Sequence, residues 1–150
     1  MEIPITGTQI ISGVCRALAS AFDVPIYREP IDQDFEEPCF FVWEQSTDTS
    51  PVIWPKFRET HRIEVRYYPR QRDSQHGVAL DMGARLVDVL RRITIINGED
   101  ESLPIYATDY SRRIVDDALS FSVTYKTEGY FYEKRAVSMG DIAAEVQPKE

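Results

Sequence analysis

The sequence predicts an α+β domain: a largely antiparallel sheet of four to five strands with two helices packed on one face. Two apolar stripes at helical spacing, a strict two-residue alternation over residues 60–68, and the order helix, strands, helix, hairpin predict it. The 150 residues, 43% of them hydrophobic, suffice for one domain with a single core. That domain is expected to span residues 1–133, followed by a C-terminal arm, 134–150, that is mobile or bound to a partner.

The first helix is capped by Thr6 or Thr8, and its stripe is Ile10, Val14, Leu18 and Phe22, with Ile11 and Cys15 beside it. Gly7 and Gly13 weaken it in isolation by up to about 1 kcal/mol each relative to Ala, so packing must hold it. Asp23 and Pro25 end it, and Ile26-Tyr27 form a short extended piece.

Pro38 marks the start of a strand, Cys39 to Gln45, because it cannot donate a ladder hydrogen bond from the interior of one. Phe40 and Val42 point one way while Cys39, Phe41 and Trp43 point the other, so this strand is buried on both sides or covered by a partner. Residues 46–56 read as a polar loop that carries Val52, Ile53 and Trp54 between two prolines. Trp54 either folds back over its own core or serves as an anchor for another chain.

Residues 60–68 set His61, Ile63, Val65 and Tyr67 on one face and Arg62, Glu64, Arg66 and Tyr68 on the other. A second helix, capped by Asp73 or Ser74, follows with the stripe Val78, Met82, Leu86, Val89, Leu90 and Ile93. Leu103 to Val115 then reads as a strand with Tyr106 and Tyr110 opposite Ile105 and Ala107. A turn at Asp116-Asp117 leads into the alternating strand Leu119, Phe121, Val123, Tyr125, and aromatics continue at Tyr130, Phe131 and Tyr132. The sheet face away from the helices should carry Arg62, Glu64, Arg66, Ser120, Ser122 and Thr124.

Composition and motifs narrow the function. A net charge of −8 argues against a nucleic-acid-binding surface, which needs a basic stripe. No apolar run approaches the roughly 20 residues of a membrane span, and the acidic start is not expected to act as a signal peptide, so a soluble, cytoplasmic chain is expected. Cys15 and Cys39 lack metal or redox spacing and read as buried thiols. His61 and His76 stand alone, and the acidic clusters at 36–37, 99–101 and 116–117 fall at turns. No catalytic, cofactor-binding or metal-binding residue is expected, and no enzyme.

Residues 33–42, Gln-Asp-Phe-Glu-Glu-Pro-Cys-Phe-Phe-Val, with Ile26-Tyr27, the run Arg62 to Pro69 ending in Tyr-Tyr-Pro, Asp109-Tyr110 and Val115 to Phe121, resemble the tail terminator (tail completion) proteins of bacteriophages and prophages of Gram-positive hosts. Asp34 and Asp117 depart from that pattern, standing where glycine is expected. The resemblance implies a structural virion protein that forms a ring, expected to be a hexamer, on the head-proximal end of the tail tube. There it would stop tube polymerisation and present the neck attachment surface. Implied partners are sister copies, the tail tube protein, a neck or head completion protein, and a sheath protein if the tail is contractile. DNA would pass through the channel without specific binding, no membrane is involved, and assembly would take place in the host cytoplasm. A ring needs two different patches per subunit, and Val52, Ile53, Trp54, Tyr130, Phe131, Tyr132 and the C-terminal arm are the apolar surplus available for them. Asp116 and Asp117 are the acidic residues expected to line the channel. The alternatives are a small-ligand-binding or regulatory domain using the groove between helix and sheet, and, less favoured, a hydrolase with a carboxylate site.

Overall fold

A computed structural model describes residues 5–28, 35–70, 76–97, 101–116 and 118–131. Helix α1 (Gly7–Ala21) is followed by strands β1 (Ile26–Tyr27), β2 (Cys39–Pro51) and β3 (Lys56–Tyr68). Helix α2 (His76–Val89) and strands β4 (Arg92–Asn97), β5 (Glu101–Val115) and β6 (Ala118–Tyr130) complete the chain order. The sheet therefore has six strands rather than four to five, ordered β1-β2-β3-β6-β5-β4. It is mixed, because β1 runs parallel to β2 while the other pairings are antiparallel.

The capping box at Thr6 starts α1. Its hydroxyl accepts from the Gln9 N–H at 3.3 Å, and the Gln9 side-chain oxygen accepts from the Thr6 N–H at 2.9 Å. The stripe Ile10, Val14 and Leu18 is fully buried. These residues meet Leu86 and Leu90 from the second helix region and Phe40, Val42, Ile63, Val65, Leu119, Phe121 and Val123 from the sheet in one core. Both helices thus lie on one sheet face, and large side chains fill the space between them and the strands, where a ligand groove would have to open.

Helix α1 touches both β2 and β4, which lie four strands apart in the sheet. Flat, that separation is about 19 Å, against about 10 Å for a helix with its side chains. The sheet therefore curls around α1. The close approach falls on Gly13, where a Cβ would sit 2.9 Å from the Thr94 carbonyl oxygen. Arg16 donates to that same oxygen at 2.7 Å, and the Gln9 side-chain amide donates to the Ile96 oxygen at 3.4 Å. Gly13 is thus required by packing rather than merely tolerated.

Three expectations are corrected. Ile93 belongs to β4, not to the helical stripe, because α2 ends at Val89 and the apolar run Ile93-Thr-Ile-Ile pairs with β5. Residues 46–51 are strand rather than loop, since Ser46 to Pro51 pair with Arg62 to Phe57. Tyr110 shares the helix-facing side of the sheet with Ile105 instead of opposing it, because a β-bulge between Ala107 and Asp109 reverses the alternation. The residues expected to cap α2, Asp73 and Ser74, lie outside the described residues.

On the far sheet face the registers align as the sequence suggested: Arg62 opposite Thr124, Glu64 opposite Ser122, Arg66 opposite Ser120. Glu64 is buried there and accepts from Arg66 at 3.2 Å and from the Ser120 hydroxyl, so its charge is paired. Beside it Phe41 is covered by Phe35 at 5.2 Å edge-on, and Phe35 and Phe41 each meet Tyr68. Phe35, of the chain's own 33–42 motif, provides the cover expected on this second side of β2.

Cys15 and Cys39 are free and buried. Burial pushes the Cys39 thiol up to about 12, with the Glu37 carboxylate adding to the shift, and burial also raises Cys15 against the opposing pull of Arg28.

Two predictions follow from this packing. Gly13→Ala should lower stability by about 1–2 kcal/mol in urea unfolding, overpacking outweighing the gain in helix propensity. Gly77→Ala, where a Cβ meets nothing within 4 Å, should not lower it. Because the folded chain holds the Cys39 proton more tightly than the unfolded chain does, the thiol's contribution is complete below about pH 9 and is lost as the pH rises toward about 12. Cys39→Ala should therefore show a shallower alkaline decline than the unaltered chain, measured from each protein's own stability at neutral pH.

Candidate functional site

Beyond the helices the middle of the sheet continues as a three-stranded arm built from the ends of β2, β3 and β6. Every residue from Thr47 to Pro51 is exposed, so the ladder itself holds the arm. The arm's ion pairs lie across the strands: Arg62 to Asp48 at 2.9 Å, Arg58 to Glu128 at 3.1 Å and Lys56 to Glu128 at 3.0 Å. Lys56 and Arg58 hold the Glu128 carboxyl below the usual carboxylate range.

At the root of the arm His61 is almost fully buried. Its Nδ1 lies 3.3 Å from Glu44 and its Nε2 lies 3.3 Å from Glu59, with the Thr47 and Thr127 hydroxyls each at 3.4 Å. A catalytic imidazole must reach a substrate, and this one is enclosed by its own chain. Among the described residues no group of three histidines, cysteines or acids is placed to hold a metal ion, and no helix is long and apolar enough to cross a membrane.

The arm ends in a tight turn, where the Val52 N–H donates to the Lys56 oxygen at 2.9 Å and the Lys56 N–H to the Ile53 oxygen at 2.7 Å. Here the residues singled out from the sequence come together. The Trp54 ring stacks on Phe131, with centroids 5.4 Å apart and planes within 8°, and Phe131 in turn packs on Phe57 at 4.7 Å. The Phe131 N–H donates to the Pro55 oxygen at 2.7 Å, and Tyr130 lies opposite Lys56. Trp54 thus folds back on the arm's own end and not on the core. Even so, Ile53 remains 77% exposed and Trp54 65%, and Val52, Tyr130 and Phe131 are exposed as well.

Phe57 and Gly129 belong to this tip, although the sequence reading did not mark them. A Cβ on Gly129 would sit 2.7 Å from the Phe57 ring, so the glycine makes room for the aromatic opposite it. The cross-strand pairing is the signal that joins them, and it is not visible in either segment alone. Asp116 lies at the other end of β6, exposed in the β5–β6 turn with φ of 52°, about 40 Å along the strand from the tip. Tyr132, Asp117 and the arm 134–150 lie outside the described residues.

Fold and tip can be compared with known families. A family model described as phage tail terminator protein matches residues 9–136. The chain belongs to the phage tail terminator family. No curated protein matches the sequence. Family membership makes this terminator a structural component of a phage tail that associates with other tail and head components. The most specific stretch of the expected resemblance is an architectural one: Phe35, Cys39, Phe40, Phe41, Tyr67 and Tyr68 pack at the head of β2 and β3.

Proposed function

We propose that this terminator closes into a ring, a hexamer, on the head-proximal end of the tail tube, stops tube polymerisation there and offers the surface to which neck proteins attach. The observation that carries this reading is the exposed aromatic tip. A lone subunit leaves Val52, Ile53, Trp54, Tyr130 and Phe131 together in water at the end of a braced arm, and such clustered anchors are the usual core of a protein interface. In this reading the tip seats on a sister copy or on the tube, with Tyr132 and residues 134–150 adding to the contact. Neck and head completion proteins dock on the opposite rim, and a sheath protein joins if the tail is contractile. A Gram-positive host and assembly in its cytoplasm belong to the same proposal. The Asp116-Asp117 turn lines the channel, where negative charge keeps DNA from sticking as it passes.

Replacing both stacked rings, Trp54→Ala with Phe131→Ala, removes tip contacts that the core does not share. The double variant should stay folded by circular dichroism yet bind its assembly partner about 30-fold more weakly, a loss of about 2 kcal/mol. Electron microscopy of particles made with it should show overlong or headless tails. Tails of normal length with heads attached would end the assignment of the tip. For the channel, Asp116→Lys with Asp117→Lys should retain DNA and lower its delivery, and unaltered delivery would remove these residues from the lumen.

A further inference from the structure

The sheet treats its edges unequally. The free side of β4 is covered by α1, whose Arg16 and Gln9 take up the outward carbonyls of Thr94 and Ile96. Two other edges have no such cover among the described residues. On β2, the outward N–H of Phe40 donates to Pro25, β1 pairs only with Phe40 and Phe41, and Val42 is still fully buried, so the edge is open from residue 43 to residue 51. Glu44 aims its backbone groups the same way as Phe40. On β5, β4 pairs only with residues 101–106, and the Ala107 N–H donates to Arg91, so residues 109–115 lie open on that side. Neither stretch carries lysine or an interior proline, two of the guards of an exposed edge, and a bulge lies only near the start of each, at Glu44/Ser46 and Ala107/Asp109.

We infer that these two edges pair with each other between neighbouring copies, residues 43–51 of one subunit adding antiparallel to residues 109–115 of the next. The inference rests on the ring reading above and names the surfaces that close it. Strand direction fits. From β2 through β3 and β6 to β5 each neighbour is antiparallel, so β5 runs opposite to β2. Rotation about an axis along the strands preserves direction and brings β5 antiparallel to the next β2, giving the two-patch contact that a closed ring needs. Charge favours unlike edges. The β2 stretch carries Glu44 and Asp48 and no cation, while the β5 stretch carries Arg112 and Arg113 against Asp109. Pairing β2 with β2 would bring only acidic side chains, Glu44 and Asp48, together.

Cysteine pairs in the full chain test this. Ser111→Cys is combined in turn with Ser46→Cys, Asp48→Cys and Ser50→Cys, positions that the registers place on one sheet face. The native thiols are buried and stay out of the reaction. Light scattering first establishes whether each variant forms oligomers, alone or on tail tubes, and mild oxidation follows. At least one pair should give a ladder of covalent multimers on a non-reducing gel, since facing residues of paired strands lie within disulfide reach, while every single-cysteine variant stays monomeric. Oligomers that none of the three pairs cross-links would overturn the edge pairing and leave the ring reading standing. Multimers from any single-cysteine variant would mean like edges meet. Protection in the monomer of the Glu44 amide, which points away from β3, from hydrogen exchange would mean the chain covers its own edge. A chain that forms no oligomer even on tail tubes would defeat the ring reading itself.

Discussion

The long ladder of β3 carries this structure. Its residues pair with β2 on one side and β6 on the other from Phe57 to Tyr67, so its backbone is satisfied along nearly its whole length. One half of the ladder lies under the helices and fixes the register, because a slip of one residue would turn Ile63 and Val65 out of the core. The other half needs no cover to stay extended. It inherits its register from the buried half, which is how a chain with a closed core can still hold apolar rings out in water.

Buried polar groups sit where the two halves meet. His61 is wedged between Glu44 and Glu59, and Glu64 is held by Arg66 and Ser120 on the far face. Each group has a specific partner on a neighbouring strand, and losing one partner would strand the other in a dry place. The histidine, which in another setting would invite a catalytic reading, is used here as a strut.

For a tail terminator, the division of labour follows from that plan. Phe40 and Tyr67 help build the packed head of β2 and β3, while the exposed rings of Trp54 and Phe131 lie at the other end of the arm. Asp116 lies at the other end of β6, so the exposed rings and this carboxylate are separated along one strand.

Local periodicity was enough to specify the first helix, with its cap narrowed to Thr6 or Thr8, the strand through Ile63 and Val65, the β5–β6 hairpin, and the apolar residues 52–54 and 130–131 that a small core does not need. Each is a pattern of near neighbours in the chain, so the physics that produces it is readable in one segment. Tertiary structure decided the rest. Ser46 to Pro51 have the composition of a loop and are strand only because β3 lies beside them. Ile93-Thr-Ile-Ile is short enough to be helix or strand, and β5 settles it. Tyr110 changes face through a bulge, Gly13 is needed because of a carbonyl on Thr94, and Trp54 finds Phe131 through the pairing of β3 with β6. In every one of these cases the deciding partner is far away in sequence, and only the folded chain brings it within contact distance.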